Sequence, residues 1–211
     1  MQIAIPVFDQ LTALDAIGPY EVLQRLPDAT VRFVNKTVGP VRTDNGMLGI
    51  LADATYTDVA KPDVVVFPGG VGTRALVNDE EVLDWVRTAH ATSRYTTSVC
   101  TGSLVLAAAG LLDGLDATTH WSVYDQLAAL GAKPVSQRVV EQGKIITAAG
   151  VSSGIDMALR LAELLFDATT AKAMQLMIEY DPQPPFDAGS VDKAGDAVMA
   201  RVIELSQAKP G

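Results

Sequence analysis

Tyr95-Thr96-Thr97-Ser98-Val99-Cys100-Thr101-Gly102-Ser103-Leu104-Val105-Leu106-Ala107-Ala108-Ala109-Gly110 changes character at its middle. The first half is short, β-branched and aromatic, the composition of a strand. The second half is rich in Ala and Leu, the composition of a helix, and Gly110 supplies its stop. The only cysteine of the chain, Cys100, stands at the joint. A side chain there leaves a strand end and meets the first turn of a helix, whose unpaired N–H groups and positive dipole end favour an anion. A thiolate is such an anion, so the spacing predicts a depressed thiol pKa and a nucleophile elbow with Cys in place of Ser. Gly102 is expected to permit the sharp turn. The same residue also reads as a small buried apolar side chain, the commoner role of a lone cysteine.

Outward from that joint the chain alternates between the two patterns. Residues 2–8 form a short apolar run, 30–35 alternate, and Val64-Val65-Val66-Phe67 is continuously apolar, as in a strand covered on both faces. Asp44-Asn45-Gly46 and Gln142-Gly143 are turn signals between extended runs. Helices are predicted from Thr12 to about 26, after Asn78, over 122–130, 155–166 and 169–179, and over 192–205. In the first, Thr12 and Asp15 are spaced as a capping pair, and Gly18-Pro19 is expected to kink or restart the helix. Strands alternating with helices imply an α/β fold with a mostly parallel central sheet and helices on both faces, a three-layer sandwich. Ligands in such sheets bind beyond the carboxyl ends of the strands, and Phe67-Pro68-Gly69-Gly70 and Val99-Cys100 are two such ends.

The totals narrow the function. With 211 residues the expectation is one domain, with a helical extension at about 181–211 after the proline-rich Asp181-Pro182-Gln183-Pro184-Pro185. A formal net charge of -9 argues against a nucleic-acid face. One cysteine excludes an internal disulfide, and one cysteine with two histidines is a poor supply for a metal centre. The start lacks a basic leader, and no apolar run approaches the ~20 residues of a membrane span. A soluble cytoplasmic protein is the expectation.

Four further places can carry chemistry. Gly70-Val71-Gly72-Thr73-Arg74-Ala75 fits the dinucleotide pattern G-x-G-x-x-A, yet it does not open the first strand–helix unit. Its glycines equally suit a tight turn, or backbone N–H groups of Gly70 and Val71 meeting negative charge beside Cys100. Asp15, among Leu14, Ala16 and Ile17, is a candidate acid whose pKa rises if it is desolvated, or else a helix-start residue. His120 and Trp121 read as structural, although either would serve in a site beside Cys100.

Taken together, Leu14-Asp15-Ala16-Ile17-Gly18-Pro19, Pro68-Gly69-Gly70, Thr97-Ser98-Val99-Cys100-Thr101-Gly102-Ser103, Ala117-Thr118-Thr119-His120-Trp121, Gly154-Ile155-Asp156 and the run from Glu179 to Ser190 resemble the ThiJ/PfpI superfamily, and within it the isocyanide hydratase group. The first three motifs are general to the superfamily and the last is more specific. Many members carry His directly after the nucleophile and Glu as the acid. Thr101 and Asp15 here depart from that in the direction of the hydratases.

The resemblance implies a flavodoxin-like, glutamine-amidotransferase-like fold and a homodimer. It implies hydration of an isocyanide to a formamide without metal or organic cofactor. Cys100 would be the nucleophile and Asp15 the proton carrier, with Thr101 assisting. Gly70, Val71, Gly150 and Val151 would face substrate or an oxyanion. A redox-sensing role for Cys100 and a non-catalytic small-molecule sensor remain the alternatives.

Overall fold

The apolar runs become strands. In chain order these are β1 (Gln2–Pro6), β2 (Thr30–Asn35), β3 (Gly39–Arg42), β4 (Gly49–Ala52), β5 (Ala54–Thr55), β6 (Val64–Phe67), β7 (Tyr95–Val99), β8 (Asp116–Ala117), β9 (Lys133–Pro134), β10 (Val139–Gln142) and β11 (Ile145–Ala148). The helices are α1 (Ala13–Leu23), α2 (Thr73–Leu76), α3 (Glu80–Thr92), α4 (Gly102–Ala108), α5 (Tyr124–Ala129), α6 (Ser153–Leu165), α7 (Ala168–Met177) and α8 (Val191–Gln207), with a 3-10 turn at Trp121–Val123. The structure, a computed structural model, describes residues 1–207. The chain divides into two compact units, Met1–Ile178 and Glu179–Gly211.

In the first unit seven strands make one sheet in the order β10-β11-β7-β6-β1-β2-β5. All neighbours run parallel except β10, which folds back on β11 through the turn at Gly143. Every residue of β6 and β11 is buried, which requires cover on both faces. Helices α1, α6 and α7 pack in succession, and α4 packs on α2, α3 and α5. Right-handed crossovers put these two groups on opposite faces, the expected three layers. From β1 the chain steps to β2 on one side, whereas β6, β7 and β11 follow on the other. The order reverses between β1 and β6, so the crevice beyond their carboxyl ends is where a ligand finds room.

Local readings differ from the structure in two places, each for a packing reason. Helix α1 runs unbroken through Pro19. Gly18 and Pro19 are its contact with α6: a Cβ on Gly18 would stand 3.1 Å from Ile155 Cγ1, and one on Gly154 would stand 3.1 Å from Pro19 Cγ. Close helix packing there offsets the missing donor. Nor do Thr12 and Asp15 form a capping pair. Thr12 makes no side-chain cap, its hydroxyl donates to Asp44 Oδ2 at 3.4 Å, and Asp15 is wholly buried.

The second unit, over its described residues, is an irregular stretch followed by α8. Gly195 breaks that helix at φ +72°, and Lys193 pairs with Asp187 at 2.6 Å. The last four residues of the extension expected at about 181–211 lie outside the described residues. No helix among the described residues is long and apolar enough to cross a membrane.

Gly102 matters for a reason other than turning. Its backbone is not in the left-handed region, but a Cβ there would stand 2.2 Å from the Phe67 carbonyl oxygen. Only glycine lets the start of α4 lie against the end of β6. Gly102→Ala is expected to cost about 1–3 kcal/mol, the usual range for overpacking, read as a lower midpoint in urea or thermal unfolding.

Candidate active site

Cys100 adopts a left-handed backbone, φ +56°, which a side chain with a Cβ tolerates only when it is held there. The holding groups are all present. The Cys100 N–H donates to the carbonyls of Ala148 and Ala149, both at 3.1 Å. Its carbonyl accepts from Thr119 Oγ1 at 2.9 Å and Ser103 Oγ at 3.1 Å. Strand β11, the loop before the 3-10 turn and α4 therefore clamp one residue from three sides. The elbow aims Sγ out of the end of the sheet, where the backbone N–H groups of Thr101 and Val151 face it.

Those two donors favour a thiolate, but they do not prevail. Cys100 is only 5% exposed, and burial together with the negative charge of Asp15 pushes the thiol up to about 12. The depressed pKa expected from the helix start is thus reversed. Desolvation and a neighbouring carboxylate outweigh two N–H groups and a helix of seven residues.

Asp15 is 0% exposed. Its Oδ2 accepts from the Gly69 N–H at 3.0 Å, Oδ1 has no hydrogen-bond partner among the described residues, and the Cys100 thiol is near enough to act on the carboxyl's pKa. Burial is the main cause that raises it to about 7, against the opposing pull of Gly69 and Cys100. A buried thiol and a carboxyl that titrates near neutrality thus share one space. Gly69 is the wedge that makes this possible: a Cβ there would stand 2.5 Å from the Thr101 nitrogen and 2.9 Å from Asp15 Oδ2.

Thr101 sits across that wedge. Its Oγ1 accepts from the Gly70 N–H at 2.9 Å, and lies 3.1 Å from both the Gly70 carbonyl and Thr73 Oγ1. Gly70 lines the cavity, but its N–H is committed to Thr101 Oγ1 and is not a free oxyanion donor. The Val71 N–H has no acceptor among the described residues. Gly70 and Gly72 are glycines because the loop after β1 crowds them: a Cβ on Gly72 would stand 2.1 Å from the Asp9 carbonyl, and one on Gly70 would stand 2.5 Å from that of Gln10. The G-x-G-x-x-A pattern is thus explained by loop packing.

Beside Sγ opens a cavity of about 210 Å³. Thr101, Val71 and Val151 line it, as do Arg74 and His120. Gly150 does not line it; instead it lies under the His120 ring, where a Cβ would stand 2.8 Å from Cδ2. His120, read as structural from sequence, is a wall residue with a structural anchor. Its Nδ1 accepts from the Ser122 N–H at 3.4 Å and lies 2.7 Å from Ser122 Oγ, which leaves the proton of the neutral ring on Nε2. Burial lowers its pKa and keeps the ring neutral. Trp121 packs on that ring, with centroids 5.3 Å apart, and does not itself line the cavity. Sequence spacing gave no sign of Arg74 or Gln126 as cavity residues, and offered His120 only as an alternative to its structural reading. Only the meeting of the loop after β6 with the 117–126 segment brings them together.

A parallel α/β sheet with a cysteine elbow at the end of β7 and a buried acid from the first helix defines a class of protein, the cysteine-elbow relatives of the flavodoxin-like fold. Within that class the chain belongs to the DJ-1/PfpI family, whose model matches residues 1–164. It is 49% identical over 199 residues to the isonitrile hydratase of Pseudomonas putida, an alignment covering 94% of this chain and 87% of that protein. Among solved structures, a ThiJ/PfpI family protein from Pseudomonas syringae superposes with a TM-score of 0.92 at 43% identity, covering 98% of this chain and 86% of the other. Drosophila melanogaster DJ-1beta superposes at 0.77 with 25% identity, covering 84% and 97%.

The raised carboxyl has a consequence for stability. Folded Asp15 binds its proton more tightly than the unfolded residue, so its stabilising contribution is whole below about pH 4 and is lost as pH rises through about 7. A shift from 3.8 to about 7 corresponds to about 4 kcal/mol. Between pH 5 and pH 8 the wild type should lose about 3 kcal/mol of that stability relative to Asp15→Asn in paired urea titrations.

Proposed function

We propose that the protein hydrates organic isocyanides, R–N≡C, to N-substituted formamides, as a lyase acting through a covalent cysteine intermediate. The observation that carries this reading is the shared desolvated space of Cys100 and Asp15, with one proton to exchange and a small cavity beside the sulfur. Similarity to an isonitrile hydratase over nearly the whole chain supports it.

The terminal carbon of an isocyanide needs a soft nucleophile and a proton, and the pair supplies both. As Cys100 Sγ attacks that carbon, the thiol proton passes to the Asp15 carboxylate. Asp15 then delivers it to the same carbon, giving the thioimidate R–N=CH–S–Cys100. Water adds to the carbon with Asp15 taking its proton, a proton goes to nitrogen, and the C–S bond breaks. The products are R–NH–CHO and the original thiol, so atoms balance. The N–H groups of Thr101 and Val151 steady the sulfur while it is anionic. The Thr101 hydroxyl keeps the 69–71 loop against Asp15, and the Val71 N–H is the free donor for charge on the substrate.

A redox-sensing cysteine needs an exposed thiolate. Cys100 is buried and its thiol is held up, so the site favours the hydratase. The reading includes a homodimer in a reducing, cytoplasmic setting, which suits an unpaired thiol. Exposed apolar side chains such as Leu176 and Met177 on α7 offer surface for a second copy to cover.

Cys100→Ala should abolish formamide release from an aryl isocyanide, followed by ultraviolet absorbance, and should also abolish the mass increment of one substrate on intact protein. Asp15→Asn is expected to lower kcat by about 10²–10⁴ with KM little changed. Because the carboxylate must be free to take the thiol proton, kcat/KM of the wild type should rise with pH through about 7. A flat profile across that range, or full turnover by Cys100→Ala, would overturn the mechanism.

A further inference from the structure

Among the described residues, Arg74 is the only permanently charged one lining the cavity beside Cys100. It is also the one arginine whose guanidinium has no acceptor among them. The others reach a carboxylate, a carbonyl or, for Arg94, the sulfur of Met1. Arg74 is exposed at the cavity rim, and in a chain with 25 acidic residues against 16 basic ones no carboxylate of the described residues neutralises it. Asp44, which accepts from the wall residue Thr12, does not pair with it.

Its backbone is well fixed. The Arg74 N–H donates to the Val71 carbonyl at 3.2 Å, and the preceding Thr73 hydroxyl donates to the Gly70 carbonyl at 2.7 Å. Arg74 therefore stands in α2, directly after the loop that holds Asp15 and Thr101, so its backbone is fixed relative to Cys100. The wall across the cavity is mixed, with Val123 and Leu104 apolar and Gln126 polar. A volume of about 210 Å³ falls below the roughly 300–1,000 Å³ of sites for drug-sized ligands, so the occupant is small.

The geometry points to an isocyanide with an anionic group, a carboxylate, on its nitrogen substituent, bound by Arg74 while its terminal carbon meets Cys100. The apolar wall takes the body of the substituent and the guanidinium takes its far end. A planar guanidinium receives a carboxylate through two parallel hydrogen bonds, which gives orientation as well as affinity. This substrate class rests on the hydratase reading.

The test compares 4-isocyanobenzoate with its neutral near-isostere 4-isocyanobenzamide, on the wild type and on Arg74→Gln and Arg74→Lys. Wild-type kcat/KM should favour the carboxylate by tenfold or more, chiefly through KM, and the preference should shrink as salt is raised. Arg74→Gln should erase that preference by raising KM for the carboxylate far more than for the amide. Arg74→Lys should retain part of it. Equal efficiency on both probes in the wild type, or a carboxylate preference that survives Arg74→Gln, would overturn the assignment of Arg74 while leaving the hydratase reading intact. No formamide from either probe in the wild type would overturn the hydratase reading and this substrate class with it.

Discussion

Two acids confined in one water-poor space govern this site. A thiol and a carboxyl that cannot both ionise cheaply must trade a single proton, and the trade sets what the pair is able to do. Neither group would behave this way alone. Asp15 in water would be fully ionised at neutral pH, and Cys100 beside two backbone N–H groups would tend toward a thiolate. Burial reverses both tendencies, raising the carboxyl to about 7 and the thiol to about 12. The resting site is thus a weak acid beside a weaker one, and a thiolate forms there only as its proton is taken.

The fold exists in a form that allows this. The acid comes from the first helix, the thiol from the end of β7 across the switch point, and the loop after β6 lies between them. Three backbones meet in a volume that leaves no room for a Cβ at Gly69, Gly70, Gly72 or Gly102. The left-handed Cys100 backbone, held by Ala148, Ala149, Ser103 and Thr119, ties the far strand and the 117–120 segment to the same point. The hydroxyls of Thr101 and Thr73 finish the junction by binding Gly70. The candidate site is also the place where the sheet, both helix layers and three loops are joined.

Much of this could be read before any coordinates. The change from Tyr95–Val99 to the Ala-rich stretch places a strand end at Cys100, because β-branched and helix-forming residues do not mix across it. The run at 64–67 and the hairpin about Gly143 follow from pattern in the same way. What pattern could not carry was any property set by residues far apart in sequence. Pro19 looks like a helix breaker until Gly154 is seen against it. The Gly70 N–H looks free until Thr101, thirty-one residues on, is found to occupy it. The thiol looks acidic at a helix start until Asp15, on another element, is placed beside it. Arg74 carries no local signal, and His120 none that fixes its place, since the wall they share exists only once two loops meet.

The division of labour between backbone and side chains around the cavity has an evolutionary consequence. Behind one wall lie crowded glycines, where almost any replacement would disturb the buried thiol and carboxyl. The other wall is made of ordinary side chains, Arg74, Val123 and Gln126 among them, that touch neither acid. Descent can therefore rewrite what the protein accepts while the reaction itself is inherited untouched. A lineage built on this plan should diversify by altering its guests, and should lose its chemistry only when the glycine-lined side gives way.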